Sequence, residues 1–418
     1  MKYVIIGNSA AGIGAVEGIR QIDRQGEITV ITDEPHHTYS RPLISYLLLG
    51  KVTEEKMKYR GDGFYAENNV SLLHAAAKEI DAKRKEVITA DGSRVPFDKL
   101  LIATGSSAFI PPIDGLDDGL DDGLDTVKNK FTFISLDDAR RLDKALDKSK
   151  RALIMGAGLI GLKCAEGILN RVACVTVIDI APKILPSILD DEGAKLVQNH
   201  LESKGIEFRL SSRVTRFAND TAILDSGDTV DFDILILAVG ARPNTALLDG
   251  IAEIDKGIVV NEKSETGAPD IYAAGDCTQA LDVSSGQNKI MALLPNAYMQ
   301  GECAGINMAG GEKTFDKAIP MNAIGFFGLH IITAGNYTGD VYTENNPQLP
   351  SYKRLFYGSN RLNGYIIIGN VEKAGIYTSL IRERTPLDTI DFALVCEKPG
   401  LMAFSREDRM ARLGGEVL

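Results

Sequence analysis

A glycine-rich turn beginning at Gly156 has the spacing needed to bind the pyrophosphate of a dinucleotide. Gly156, Gly158 and Gly161 follow the strand-like ALIM and open the helix-like stretch LIGLKCAEG. This spacing lets backbone N–H groups and a helix N-terminus approach an anion closely. The next strand-like run, VTVID, ends at Asp179, where a carboxylate can accept a ribose 2′-hydroxyl and repel a 2′-phosphate. The residues predicted to bind NAD, with NADH preferred over NADPH, are Gly156, Gly158, Leu159, Ile160, Gly161 and Asp179.

A second turn of this kind, with a weaker motif, lies at the beginning of the chain. VIIGNSAAGIGA places Gly7 after a strand and Gly12 where a helix must pack on the sheet, while Ser9 replaces the usual middle glycine. The small Ser9 side chain still leaves room for a pyrophosphate. ITVITDE then supplies acidic side chains about twenty residues on, where they can accept ribose hydroxyls. The residues predicted to bind this second dinucleotide are Gly7, Ser9, Ala10, Ala11, Gly12, Asp33 and Glu34.

Both turns require a scaffold of buried parallel strands, and the sequence predicts one. Short apolar runs such as YVIIG, ITVIT and VTVID alternate with helix-like stretches, which is typical of strands buried on both faces. The pattern of strand, glycine turn, helix and strand occurs twice, from Lys2 and from Arg151. The predicted fold class is therefore α/β, with two Rossmann-like domains and two cofactors.

Composition and charge exclude several classes of protein. The chain has 418 residues, of which 46 are basic and 57 acidic, and its formal net charge of −11 argues against a nucleic-acid partner. No apolar run could span a bilayer and no signal peptide precedes the first strand, so we expect a cytoplasmic protein without a membrane span. The cysteines are too scattered for a metal knuckle or a close redox pair, and no metal site is predicted. They are Cys164, Cys174, Cys277, Cys303 and Cys396.

Three further segments carry a resemblance to the two-dinucleotide-binding-domain flavoproteins, the pyridine nucleotide–disulfide oxidoreductase family. The segments are LLIATGS, with Ala103, Thr104 and Gly105; ILILAVGARPNT, with Gly240; and TGAPDIYAAGD, ending at Gly275 and Asp276. The resemblance implies FAD at the first glycine turn and NAD at the second. It also implies that Asp276 contacts the ribityl chain of the flavin.

A narrower resemblance comes from YSRPLIS, GLIGLKCAEG and GNVEKAGIYTSLI. These segments are similar to NADH-dependent rubredoxin reductases, to the flavin portion of assimilatory nitrite reductases, and to FAD/NAD oxidoreductases that accompany carbon monoxide dehydrogenase. The resemblance implies that Arg41 and Pro42 lie against FAD, that Ala77 lies beside its adenine, and that Leu294 belongs to the same cofactor site.

The resemblance and the strand pattern together predict three domains. Residues 1–110 and 240–316 are predicted to form a discontinuous FAD-binding domain, and residues 111–239 an NAD-binding domain. Residues 317–418 are predicted to form a C-terminal α+β domain and a tail, because strand-like segments precede a helix-like stretch near Glu372 to Arg384. The repeat DGLDDGLDDGLD, residues 114–125, indicates a surface loop; a calcium site is the alternative, although the EF-hand spacing is missing.

Departures from the wider family concern the residues near the flavin. Members that reduce disulfides or peroxides need an early redox cysteine, but SYLLLGK occupies that stretch and the first cysteine is Cys164, interpreted as a packed small hydrophobe. Lys163 stands where many relatives carry glutamate. A cation there is predicted to stabilise reduced, anionic flavin, and Lys51 is a second candidate for this catalytic role. The alternative is that Lys163 is an exposed helix lysine.

The predicted function is electron transfer between NADH and a small iron protein of the rubredoxin or ferredoxin type, through FAD. Two alternatives remain: an NADH oxidase that uses dioxygen, and a flavin-binding redox sensor. An acidic carrier would need a local basic patch on this acidic chain. The candidates for that patch are Lys373, Arg382, Arg384, Arg406, Arg409 and Arg412, and a solvated tail is the alternative for the last three.

Overall fold

The computed structural model describes residues 1–116, 126–346, 350–400 and Phe404. The parts of the sequence that fall outside the described residues include most of the DGLD repeat and the arginines predicted to form a basic tail, Arg406, Arg409 and Arg412. The helices of the described chain are α1 (Ala10–Ile22), α2 (Ile44–Leu48), α3 (Phe64–Glu67), α4 (Leu136–Ala145), α5 (Leu159–Ile168), α6 (Asp191–Glu202), α7 (Leu294–Met308), α8 (Ala374–Arg382) and α9 (Phe392–Glu397).

The strands of the described chain form small sheets of two or three strands and larger sheets of five. In the first part of the chain they are β1 (Lys2–Ile6), β2 (Glu27–Thr32), β3 (Val70–His74), β4 (Ala77–Asp81), β5 (Glu86–Thr89), β6 (Arg94–Pro96), β7 (Lys99–Ile102), β8 (Ser106–Ala108), β9 (Lys130–Thr132), β10 (Arg151–Met155), β11 (Cys174–Ile178), β12 (Ile206–Arg209) and β13 (Val214–Ala218). They continue with β14 (Thr221–Leu224), β15 (Thr229–Asp231), β16 (Ile234–Leu237), β17 (Ala241–Pro243), β18 (Ile258–Val259), β19 (Ile271–Ala273), β20 (Thr278–Asp282), β21 (Gln287–Lys289), β22 (Met321–Phe326), β23 (Leu329–Gly335), β24 (Asp340–Asn346), β25 (Ser351–Gly358) and β26 (Arg361–Ile368).

The first glycine turn extends from the central strand of a parallel sheet. The strand order is β19-β7-β1-β2-β3, and every neighbouring pair is parallel. Residues 3–6 of β1 are all buried, as expected for a strand covered on both faces. The helices α1 and α7 pack closely: a Cβ atom on Gly301 would lie 2.0 Å from the carbonyl oxygen of Ala11. This close approach fixes α7 beside the first turn.

The second glycine turn extends from an equivalent sheet, with strand order β12-β11-β10-β16-β9 and parallel pairing throughout. Met155 pairs with Ile178 at the last position of the β10–β11 register. This register brings Gly156 and Asp179 together at the carboxyl edge of the sheet, where ligands bind in open parallel sheets. The short strands β8 and β17 form an antiparallel pair of their own, with Ala108 opposite Ala241.

The chain divides into two compact units. The first contains both parallel sheets and consists of Met1–Ser187, Gln198–Ala280 and Ile290–Phe315. The second consists of Ile188–Val197, Leu281–Lys289 and the chain from Asp316 onwards. The predicted α/β class is confirmed by the two parallel sheets. The three predicted domain ranges remain a proposal.

The second unit is built on an antiparallel sheet with strand order β22-β23-β26-β25-β24. Its core includes Tyr365 and Tyr377, so α8 packs against β26 as the helix-like stretch near Glu372 predicts. The helix α9 was not predicted because the sequence there lacks clear periodicity. Asp391 caps it by accepting a hydrogen bond from the Leu394 N–H at 3.0 Å, and Val395 is fully buried. Among the described residues, no helix is long and apolar enough to cross a membrane.

Candidate functional site

The first glycine turn leaves a helix N-terminus without a side-chain cap. Gly7 has φ +118°, and a Cβ atom there would lie 2.1 Å from the Ala103 carbonyl oxygen, so no larger residue fits. Ser9 is the N-cap residue of α1, but its side chain makes no capping hydrogen bond. Ala10, Ala11 and Gly12 then begin the helix and are buried. The uncapped N–H groups at this end can therefore receive an anion.

Sequence reasoning missed Tyr65, Asn8 and Thr38, which form a polar cluster at this turn. Tyr65 donates a hydrogen bond from its hydroxyl to Asn8 Oδ1 at 2.8 Å and accepts one from the Thr38 N–H at 3.2 Å. Two buried atoms of the cluster, His37 Nε2 and Thr38 Oγ1, make no hydrogen bond within the described chain. Buried polar atoms without partners are costly, so this region suits a polar ligand that would satisfy them.

The acidic residues after β2 have different environments. Asp33 is exposed, whereas Glu34 pairs with the Arg41 guanidinium and accepts a hydrogen bond from the Tyr39 hydroxyl at 2.8 Å. That both carboxylates accept ribose hydroxyls stays a prediction. Pro42 follows Arg41 in a short 3-10 turn, where the ring fixes the backbone leading into α2.

Arg41 also acts electrostatically on Asp276. Burial raises the pKa of the Asp276 carboxyl, and the positive charge of Arg41 opposes that rise. Gly275, immediately before it, has φ +84°. The structure therefore brings the Arg41 and Asp276 predicted for the flavin into one electrostatic environment. Leu294 lies at the first position of α7 and is partly buried.

The segment after β7 is fixed by hydrogen bonds from a distant loop. The Thr104 hydroxyl donates to the Asn244 carbonyl oxygen at 2.6 Å, and Asn244 Nδ2 donates to the Thr104 carbonyl oxygen at 3.0 Å. Gly105 follows with φ +66° and open space where a Cβ atom would lie. The predicted residue Ala77 begins β4 and is half-buried.

The second glycine turn repeats the geometry of the first. A Cβ atom on Gly156 would lie 2.2 Å from the Ala238 carbonyl oxygen, and one on Gly161 would lie 2.0 Å from the Gly156 carbonyl oxygen. Gly158 is the N-cap residue of α5, so no side chain caps the helix, and nothing lies within 4 Å of its Cβ position. The open space at Gly158 lets a phosphate approach the helix N-terminus.

Asp179 supports this turn directly. One carboxylate oxygen accepts a hydrogen bond from the Ala157 N–H at 2.6 Å, and the other accepts one from the Ala181 N–H at 2.8 Å. The carboxylate predicted to select NADH therefore also holds the backbone between Gly156 and Gly158. The support that Asp179 gives to the backbone depends on strand register, and the sequence motif does not show it.

Apolar side chains stand exposed around the second turn. Ile160 is 37% exposed, Ile180 is 66% exposed and Val239 is 38% exposed, and each follows a strand of the second parallel sheet. Gly240, next to Val239, has φ +131° and open space at its Cβ position. Sequence reasoning predicted Ile160 and Gly240 and missed Ile180 and Val239. Exposed apolar side chains at the carboxyl edge of a parallel sheet suit the faces of nucleotide rings.

The two predicted lysines differ sharply. Lys163 is only 13% exposed; its ammonium pairs with Glu166 and lies 4.6 Å from the centroid of the Tyr46 ring. The alternative of an exposed helix lysine is therefore wrong, because α5 packs this face against α2. The side chain of Lys51 is exposed, and its backbone N–H donates to the Tyr46 carbonyl oxygen at 2.9 Å.

Four of the five cysteines are buried side chains, and Cys174 is partly buried. Cys164 and Cys277 are fully buried, and all five cysteines are free thiols. Burial raises the pKa of Cys277 to about 11 and also raises the pKa of Cys164. A thiol with so high a pKa carries little thiolate at neutral pH, so neither residue is suited to nucleophilic redox chemistry.

Comparisons with known proteins agree with this geometry. The family described as pyridine nucleotide-disulphide oxidoreductase matches residues 1–301. The epsilon subunit of NADH-dependent phenylglyoxylate dehydrogenase from Aromatoleum evansii is 35% identical and covers 92% of this chain and of its own. NADH oxidase from Methanocaldococcus jannaschii is 34% identical over 75% of this chain and 71% of its own. Rubredoxin-NAD(+) reductase from Pseudomonas putida is 30% identical over 74% of this chain and 80% of its own.

A solved structure shows the same fold along nearly the whole chain. The covalent putidaredoxin reductase–putidaredoxin complex matches with a TM-score of 0.86 and 22% identity, over 99% of both chains. Parallel sheets of this arrangement and the family match together confirm the family resemblance that the segments around Ala103, Gly240 and Asp276 indicated.

Proposed function

The chain belongs to the pyridine nucleotide-disulphide oxidoreductase family, and from this premise we propose that it transfers electrons between NADH and a small iron protein through FAD. One observation carries the proposal: a single compact unit contains two parallel sheets, and each presents a glycine turn and a helix N-terminus without a side-chain cap. Two dinucleotides thus have a place in one unit. A reducing compartment suits the free cysteines, and we place the protein in the cytoplasm.

The residues of the first turn fit FAD. The N–H groups at the start of α1 bind the pyrophosphate, and the exposed Asp33 accepts ribose hydroxyls. His37 and Thr38 offer buried polar atoms that a bound group can satisfy. Asp276 accepts hydrogen bonds from the ribityl hydroxyls, while Arg41 supplies a positive charge nearby. Bound FAD would accept a hydride from NADH and release electrons singly to an iron protein.

The residues of the second turn fit NADH. The N-terminus of α5 binds the pyrophosphate through the open space at Gly158. Asp179 accepts the ribose hydroxyl and excludes a 2′-phosphate by charge repulsion. Ile160 and Ile180 cover the apolar faces of the nucleotide, which keeps water away from this part of the site.

No acid–base triad is required of the protein, because the hydride moves between cofactors. The chain's own contribution is positioning and charge. The Lys163 ammonium, held by Glu166 and the Tyr46 ring, provides a fixed cation on the α5 face that meets α2. We propose that this cation favours the reduced form of the flavin, as a charge in a poorly solvated place acts strongly. The exposed Lys51 lacks such surroundings and is the weaker candidate.

The acceptor is proposed from the relatives. Rubredoxin-NAD(+) reductase from Pseudomonas putida, as its name states, links rubredoxin and NAD(+). The buried cysteines argue against an internal disulfide as the next electron carrier. An external one-electron carrier of the rubredoxin or ferredoxin type then remains the simplest partner for a two-electron donor such as NADH.

Dioxygen is the second candidate acceptor, because the NADH oxidase from Methanocaldococcus jannaschii is 34% identical. The flavin-binding sensor remains a third alternative, which predicts slow reoxidation by every acceptor. Double-mixing stopped-flow experiments separate the three. The flavin is first reduced anaerobically with NADH and then mixed with rubredoxin, ferredoxin or dioxygen. Fast reoxidation by an iron protein alone supports the proposal; fast reoxidation by dioxygen alone identifies an oxidase and overturns it.

A further inference from the structure

The turn that carries Asp276 is held by a buried glutamine. Gln300 lies on α7 and is 4% exposed. Its Oε1 atom accepts hydrogen bonds from the Gly275 N–H at 2.8 Å and from Thr278 Oγ1 at 3.0 Å. The single hydroxyl proton of Thr278 is shared with the Gly275 carbonyl oxygen, which lies 2.7 Å from Thr278 Oγ1. The N–H and the carbonyl oxygen of Gly275 are therefore both hydrogen-bonded to side chains of the same small network.

The network has little freedom to adjust. Gly275 has φ +84°, and a Cβ atom on it would lie 3.1 Å from Ala11 Cβ. A Cβ atom on Gly301, the next residue of α7, would lie 2.0 Å from the Ala11 carbonyl oxygen. Because the helices are in such close contact, α7 cannot shift to bring another acceptor to the Gly275 N–H. Without the Gln300 amide oxygen, this N–H would be buried and unpaired.

Only half of the Gln300 amide is used. Its Nε2 atom is buried and makes no hydrogen bond within the described residues. An unpaired buried amide nitrogen is unfavourable, and an apolar side chain would avoid that cost. The residue is therefore better explained by what its oxygen does for the turn than by general packing of the core.

We propose that Gln300 is a positioning residue for Asp276. Its amide oxygen fixes the Gly275 peptide, and the fixed peptide holds the Asp276 carboxylate where bound flavin needs it. The inference rests on the proposed function, because it is stated for FAD binding. Gln300 itself makes no contact with the cofactor in this account.

The test is the affinity of the FAD-free protein for FAD, measured by quenching of flavin fluorescence. Gln300→Met keeps the length and volume of the side chain and removes the acceptor. We expect the dissociation constant to rise about tenfold, or about 1.4 kcal/mol. Thr278→Val removes the hydroxyl that bonds to this network. It should raise the dissociation constant less, since the hydrogen bond between the Gly275 N–H and Gln300 remains. An unchanged dissociation constant in both variants would overturn the inference.

Gln279→Met is the matched control. Gln279 is 8% exposed, and its Oε1 atom also accepts backbone N–H groups, from Lys256 at 3.1 Å and from Gly257 at 3.3 Å. The control loses the same kind of interaction away from the Gly275 peptide, together with the hydrogen bond that Gln279 Nε2 donates to Asp255 Oδ2 at 3.1 Å. It should lower the melting temperature of the FAD-free protein and leave FAD affinity within about twofold of wild type. An equal loss of affinity in both glutamine variants would reduce Gln300 to a general structural role.

A double-mutant cycle separates positioning from stability. In an Asp276→Asn background, Gln300→Met should change FAD affinity by less than about twofold, because its effect passes through the Asp276 carboxylate. A full tenfold loss in that background contradicts the mechanism. The proposed function fails separately: a wild-type protein that binds no FAD ends the flavoprotein assignment whatever the variants do.

Discussion

Replacing Asp179 should reduce the preference of the protein for NADH over NADPH, and it should also weaken the binding of NADH. The carboxylate accepts hydrogen bonds from the Ala157 N–H at 2.6 Å and the Ala181 N–H at 2.8 Å. In the wild type, a 2′-phosphate would meet this negative charge. The resulting penalty is about 2–4 kcal/mol, or roughly 30-fold to 1000-fold in favour of NADH.

The two available substitutions should differ because Asp179 has two roles. Asp179→Asn removes the charge and retains one acceptor oxygen, so the glycine turn keeps part of its support. Asp179→Ser leaves both backbone N–H groups beyond the reach of a carboxylate, and hydrogen bonds to charged groups contribute about 1.5–3 kcal/mol each. We therefore expect both variants to lose most of the NADH preference. The serine variant should also bind NADH about tenfold more weakly than the asparagine variant.

Stopped-flow reduction of the flavin by each nucleotide measures this preference as the ratio of the apparent second-order rate constants. Asp231→Asn is a suitable control, since Asp231 belongs to β15, is 58% exposed and lies 3.4 Å from Arg151. The ratio of the rate constants for NADH and NADPH in Asp231→Asn should equal the ratio in wild type. Equal rates with NADH and NADPH in the wild type, or an unchanged ratio in Asp179→Asn, would refute the assignment.

Three further predictions concern other parts of the chain. Asp276→Ala should purify with little flavin, which is measured as a loss of absorbance at roughly 450 nm. Asp33→Asn should retain more flavin than Asp276→Ala, because Asp33 is exposed and Asp276 is not. Lys163→Met should lower the free energy of unfolding by about 3–5 kcal/mol, because it removes the cation that pairs with the largely buried Glu166 carboxylate. The double variant with Glu166→Leu should recover much of this loss in urea titrations, and simple additivity would contradict the buried-pair argument. Arg382 and Arg384 line a cavity of about 320 Å³ together with Lys317, Asp316 and Glu383. Arg382→Glu with Arg384→Glu should slow reduction of an acidic iron protein at low salt and leave hydride transfer from NADH unchanged. If the double variant and the exposed control Arg361→Glu showed the same salt dependence, this surface would not be a docking site.

Local sequence signals predicted the parts of the site that depend on neighbouring residues. The glycine turns were predictable because Gly7 and Gly156 follow buried strands whose apolar runs are continuous in sequence. Their positive φ angles and close contacts with Ala103 and Ala238 are direct consequences of that geometry. The fold class followed from the same runs, since strands buried on both faces need helices on both sides.

Interactions between residues distant in the chain were not predictable. Tyr65 reaches Asn8 across 57 positions, and Gln300 reaches Gly275 across 25. Neither contact leaves a periodic or compositional trace in one sequence. The ion pair between Glu34 and Arg41 is a further example. Each of these residues was predicted separately to contact the cofactor, and the structure shows that they contact each other. Contacts of this kind come from strand order and helix packing, which a local motif does not encode.

An anaerobic titration of the purified protein with NADH, followed by flavin absorbance, counts the groups that accept electrons from NADH. All five cysteines lie within the described residues, are free thiols and are mostly buried, so we expect FAD alone to be reduced. We predict that about one NADH per FAD bleaches the band at roughly 450 nm completely. Consumption of about two NADH per FAD would reveal a second two-electron group, such as a redox-active disulfide, and would refute electron transfer from NADH through FAD alone.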